Sequence, residues 1–211
     1  ALAENNINPI DIVVVNLYPF KETLAKKDAS QEDIIENIDI GEPAMLRAAA
    51  KNYEDVLVIV DPNDYDSVLE LLQKDLLEKT VRQELAAKVF RHTAHYDSMI
   101  AQYMTEEVSD LELFTENYSR TFELVQALRY GENPHQEAAF YEIPNYQGIS
   151  LARAKQLHGK ELSYNNIQDA NAALEIVLEY QGPTAVAVKH MNPCGIGIGD
   201  SLELAFQRAY D

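Results

Sequence analysis

Three short apolar runs most constrain this chain: DIVVVN at residues 11–16, VLVIV at 56–60 and TAVAV at 184–188. Each is rich in β-branched or small residues and apolar at successive rather than alternate positions. That pattern predicts short buried strands, the first of them in a parallel sheet. Helical stretches lie between them. Ser30 is placed to cap a helix from Gln31 to Asn37. Pro43 sits where a helix accepts it, so Ala44 to Asn52 reads as an Ala-rich helix after a Gly41-Glu42-Pro43 turn. Asp64 to Glu78 and Thr80 to Met104 carry apolar residues at helical spacing, such as Val68, Leu71 and Leu72, then Leu85 and Val89. The expected fold class is α/β.

The acidic stretch TEEVSDLELFTENYSR at 105–120 has no period and marks a boundary between two domains, giving residues 1–110, a linker at 111–120 and residues 121–211. Beyond it the expected order is a strand from Thr121 to Leu128, an edge strand from Ala138 to Tyr141, and a helix opened by Ser163 or Asn165 and running on to Tyr180. Ser201 caps a last helix. The chain has no initiator Met, begins just before a strand and stops within a helical pattern, so a piece of a longer protein is expected. With 35 acidic against 17 basic residues and a net charge of -18, nucleic acid and anionic membranes are not expected partners. The single Cys194 excludes an internal disulfide or a cysteine-based metal cluster and fits a reducing compartment. No apolar run approaches the roughly 18 residues a membrane span needs.

Chemistry concentrates where strands end. TAVAV runs into Lys189-His190 and then into NPCGIGIG, whose glycines at 195, 197 and 199 allow a backbone that bends closely around something. A lysine next to a buried strand is expected to lose hydration, which disfavours its charged form, and histidine as a residue type exchanges protons near neutral pH, so the pair is expected to handle protons and developing charge. The same residues read equally well as a plain loop with a solvated Lys and a hydrogen-bonded His. In RYGENPHQ, Arg129 offers a planar fork for phosphate or carboxylate, Tyr130 a stacking face with a hydroxyl, and Asn133 and His135 share the turn. LYPF presents Tyr18 after the first strand, as a ligand contact or as packing. Asn165 and Asn166 hold a ligand amide or cap their helix. His92 and His95 lie three apart without a third ligand at a recognisable distance, which favours structural roles.

Taken in order, NLYPF, IDIG…LRAAAKN, LRYGENPHQ, GKELSYNNIQDANAA and AVKHMNPCG closely resemble the bifunctional purine biosynthesis family, in which phosphoribosylaminoimidazolecarboxamide (AICAR) formyltransferase is joined to IMP cyclohydrolase. The resemblance spans essentially the whole chain. It implies formyl transfer from 10-formyltetrahydrofolate to AICAR, then dehydrative ring closure of the product, FAICAR, to IMP. It implies the C-terminal part of a methylglyoxal-synthase-like cyclohydrolase domain to about Asp110. From about Thr121 it implies the start of a cytidine-deaminase-like transformylase domain without a zinc site or any other metal. By the same resemblance His190 is the general base, Lys189 stabilises the tetrahedral intermediate or protonates the leaving folate nitrogen, Arg129 and Tyr130 bind AICAR, His135 supports them and Asn166 orients the carboxamide. For ring closure it implies Lys51 as proton donor or acceptor, with Tyr18, Asp39, Val15, Asn16 and Ile40 lining the nucleotide site. A cytoplasmic homodimer is implied. The family's second glycine after IDI is here Glu42, and its N-terminal segment and most of its transformylase domain are absent. A nucleotide-binding module that keeps the fold without turnover is the alternative reading.

Overall fold

The computed structural model describes residues 3–107 and 114–211, and the chain divides into two units between Thr121 and Phe122. The expected linker at 111–120 lies partly outside the described residues.

In the first unit strand β1 (Ile12–Val14) pairs in parallel with β2 (Leu57–Ile59), Ile12 opposite Leu57 and Val14 opposite Ile59. Between them run α1 (Phe20–Leu24), α2 (Gln31–Glu36) and α3 (Gly41–Lys51); after β2 come a 3-10 turn (Pro62–Asp64), α4 (Tyr65–Gln73) and α5 (Lys79–Glu106). The two short runs thus form the ends of a crossover unit. The core lies where α3 and α5 meet β2, and holds Leu46, Ala50, Val58, Val60 and Val89. A second cluster holds Phe20 fully buried, with Tyr96 and Tyr103 edge-on to it at 6.0 Å each. The buried residues of α5, Ala86, Val89, Thr93, Tyr96, Met99 and Tyr103, recur at three- and four-residue steps, the stripe that lets one long helix serve both clusters. Lys88 ties this helix to the turn after β2 by ion pairs to Asp61 at 2.6 Å and Asp64 at 2.8 Å.

Three expectations change here. β2 is buried throughout, but β1 is not: Ile12 is 46% and Val14 49% exposed, because the side chains on that face, Val68, Leu77 and Leu85, pack on Leu57 and Ile59 of β2 and not on β1. The helix expected from Ala44 begins at Gly41, so Gly41-Glu42-Pro43 is its first turn rather than a separate one. The helix expected from Asp64 to Glu78 ends at Gln73, and Asp75 adopts φ +54° just beyond its C-cap.

In the second unit β3 (Glu123–Leu128) pairs antiparallel with β4 (Ala138–Glu142), a short 3-10 turn (Leu151–Arg153) leads to α6 (Tyr164–Leu178), and β5 (Thr184–Lys189) pairs antiparallel with β6 (Asn192–Ile198) before α7 (Leu202–Tyr210). The strands of this unit thus form two separate hairpins, and NPCGIGIG is a strand rather than a loop folded about a ligand. What its glycines approach is α7. A Cβ added at Gly195 would lie 1.9 Å from the Ala209 carbonyl oxygen, and one at Gly197 2.0 Å from that of Ala205. Ala205 is the one buried apolar side chain among this unit's described residues. Phe140, Ile143, Leu151, Leu174 and Leu178 line an open apolar cleft of about 340 Å³ instead. No described helix is long and apolar enough to cross a membrane.

Candidate functional site

The Lys189-His190 pair sits at the tip of the β5–β6 hairpin. Register pairs Lys189 with Asn192, so His190 and Met191 form a two-residue loop. Their φ values are +52° and +64°, the left-handed region that two-residue hairpin turns of type I′ demand and that Asn and Gly normally supply. A non-glycine residue held there costs on the order of 1–3 kcal/mol. Two hydrogen bonds hold the tip: Asn192 Nδ2 donates to the His190 carbonyl at 2.7 Å, and the Met191 N–H donates to Asp169 Oδ1 of α6 at 2.8 Å. Lys189 and His190 are both exposed, so the burial expected to dehydrate Lys189 is absent.

Asn166 lies one helical turn before Asp169, on the same face of α6. Ser163 is the N-cap; its hydroxyl donates to Asn166 Oδ1 at 2.8 Å and accepts the Asn166 N–H, which completes a capping box. Capping therefore occupies the Asn166 carbonyl oxygen, while its Nδ2 donors have no partner among the described residues. Asp169, one turn from Asn166, thus joins α6 to the turn that carries His190.

RYGENPHQ forms the other tip, between β3 and β4. The Gly131 N–H donates to the Gln136 carbonyl at 2.7 Å, the Gln136 N–H to the Asn133 carbonyl at 3.0 Å and the Asn133 N–H to Gln136 Oε1 at 2.8 Å, so the loop closes on itself. Arg129 and His135 stand exposed and Tyr130 half-buried. No hydrogen bond or ion pair among the described residues joins these three to Lys189 or His190.

In the first unit, NLYPF leaves β1 beside the start of α3. Val15 continues the pairing through its N–H to the Ile59 carbonyl at 3.1 Å. Asn16 Nδ2 donates to the Val60 carbonyl at 2.9 Å and its Oδ1 accepts the Tyr65 hydroxyl at 3.1 Å. Asp39, 6% exposed, accepts the Tyr18 N–H on Oδ2 at 3.2 Å and the Glu42 N–H on Oδ1 at 3.1 Å, while its own N–H reaches the Tyr96 hydroxyl at 2.9 Å. Asp39 is thus a bracket joining the turn, α3 and α5. Gly41 keeps a negative φ as the first residue of α3, so the position after it has no need of a second glycine. The Asp39 carboxylate, which can accept the proton of the Glu42 carboxyl, holds the Glu42 pKa above the ordinary Glu value. Tyr18 and Ile40 are exposed around this corner. Lys51 is exposed at the far end of α3, about 15 Å along the helix axis from Gly41. The structure brings Val15, Asn16, Tyr18, Asp39 and Ile40 together and leaves Lys51 apart.

Sequence reasoning missed Asp169, Tyr65 and Tyr96. Asp169 alone carried a signal, its place three residues after Asn166 on one helix face. His95 meets Thr121 through Nδ1 at 2.6 Å, and no three His, Cys, Asp or Glu converge as metal ligands among the described residues.

The profile of the family described as AICARFT/IMPCHase bienzyme matches residues 49–211. Proteins named bifunctional purine biosynthesis protein PurH are 62% identical over 209 residues in Oceanobacillus iheyensis and 59% identical over 211 residues in Bacillus subtilis. These matches take in 99% of this chain in each case and 41% and 40% of those proteins. The chain thus spans about two fifths of the length of the curated relatives it matches. A solved structure titled "Crystal structure of ForH" is 37% identical, with a TM-score of 0.41 over 49% of this chain and 55% of the other.

Proposed function

Because the chain belongs to the AICARFT/IMPCHase bienzyme family, we propose that the protein containing it carries out the last two steps of IMP synthesis, formyl transfer to AICAR and ring closure of FAICAR. Residues to about 110 are the end of a methylglyoxal-synthase-like cyclohydrolase domain, and residues from about 121 the start of a cytidine-deaminase-like transformylase domain. The protein works as a cytoplasmic homodimer, without metal and without nucleic-acid partners.

In formyl transfer the AICAR amine attacks the formyl carbon of 10-formyltetrahydrofolate. His190 takes the amine proton as the new C–N bond forms. Lys189 faces the charge that develops on the formyl oxygen, or returns a proton to the folate nitrogen as the old C–N bond breaks. Arg129 and Tyr130, supported by His135, hold the nucleotide, and the Nδ2 group of Asn166 orients the carboxamide. In ring closure Lys51 moves the proton while Val15, Asn16, Tyr18, Asp39 and Ile40 line the nucleotide site. The observation that carries this reading is His190 in a left-handed turn, exposed beside Lys189 and tied to α6. Positive φ at a non-glycine residue persists where surroundings impose it, and such residues cluster at functional sites.

A module that binds AICAR or IMP without turnover is the second reading, favoured for the first unit by the separation of Lys51 from Asp39. The two are told apart by assaying the complete gene product for each step separately. FAICAR formed from AICAR and 10-formyltetrahydrofolate, and IMP formed from added FAICAR, are the expected products. Nucleotide binding with neither product would establish the module instead.

A further inference from the structure

We propose that Asp169 is the positioning residue for the Lys189-His190 pair: its carboxylate, reaching from α6, fixes the left-handed turn that aims His190. The inference rests on the reading of His190 as the proton acceptor. Of the two central residues, His190 is of a type that tolerates φ above zero better than most but Met191 is not, so the residues of the turn do not select this geometry by themselves. The Asn192 side chain holds the His190 carbonyl from within the hairpin. Asp169 supplies the only described hydrogen bond to the turn from another element, and it is a charge-assisted one to the Met191 N–H at 2.8 Å. Asp169 is partly buried on the helix face that also carries Asn166, so α6 sets the turn and Asn166 together. Without that carboxylate the hairpin still pairs through the register from Thr184 to Ile198, but its tip is free to relax and carry the imidazole away from the amine.

The test is formyl transfer by the complete gene product in Asp169→Ala, Asp169→Asn and His190→Ala, and in the double variant Asp169→Ala with Met191→Gly. Misplacing a reacting group costs rate more than binding, so Asp169→Ala is expected to lower kcat about tenfold or more while KM for AICAR stays within about twofold. Asp169→Asn, which keeps an acceptor but loses the charge, should fall between. Glycine adopts positive φ freely, so the double variant should regain much of the lost kcat. An Asp169→Ala kcat equal to wild type, with His190→Ala inactive, overturns the positioning role. So does a double variant as slow as Asp169→Ala alone. A wild-type rate in His190→Ala is a separate result, which removes the reading of His190 as base and this inference with it.

Discussion

Two carboxyl groups meet at the start of α3, where the neighbours of Asp39 decide its part. Both of its oxygens accept backbone N–H groups, from Tyr18 and Glu42. The Asp39 carboxylate, which can accept the proton of the Glu42 carboxyl, raises the Glu42 pKa, and the lowering effect of the backbone hydrogen bond does not cancel it. A carboxyl whose folded pKa is raised keeps its proton in the folded state at pH values where the unfolded chain has lost it. Stability therefore falls as pH rises from the ordinary Glu value, about 4.3, through the folded one. Glu42→Gln is expected to remove this fall. Urea midpoints of the variant from about pH 4 to 7 should change less than those of the wild type, and parallel curves would contradict the pairing. The motif made Asp39 and Asn16 visible in the sequence, but not their use. Their partners Tyr96 and Tyr65 stand 57 and 49 residues from the groups they bind, and helical periodicity marks Tyr96 only as one more position on a stripe.

Whole elements were easier to read than their faces. The strands other than β6, the Ser30 and Ser163 caps, the Ala-rich helix and the long α5 follow from local chemistry, and each forms close to its expected place. Burial is set by what lies across the element, so DIVVVN reads as a covered strand yet exposes Ile12 and Val14. NPCGIGIG shows the same limit: glycine signals close approach but does not name the neighbour, and here the neighbour is the backbone of α7. Gly197→Ala should force the hairpin and α7 apart, since the added carbon meets a carbonyl oxygen that cannot rotate away. Overpacking of this kind costs typically 1–3 kcal/mol, roughly, in chemical unfolding. An unchanged unfolding midpoint would show that α7 does not pack against β6 as described.

The two units differ in how they use their apolar residues. The first buries three clusters, whereas the second leaves Leu124, Tyr141, Ile149, Leu157, Leu202 and Phe206 exposed and encloses little besides Ala205. Apolar surface of this extent calls for a covering partner. The 211 residues alone should therefore associate in size-exclusion chromatography and show slow amide exchange confined to α3, β2 and α5. A sharp monomer peak with protected β5 and β6 amides would contradict this. Sequence order made the family visible through five motifs, but not their convergence, since the RYGENPHQ and Lys189-His190 tips belong to separate hairpins. The most direct test of the account is kcat for formyl transfer in His190→Ala of the complete gene product, with AICAR binding measured alongside. General base catalysis predicts a loss of about 10²–10⁴-fold with nucleotide affinity nearly unchanged. A loss below about threefold would contradict the assignment of His190, and with it the reading of this turn as the transfer site.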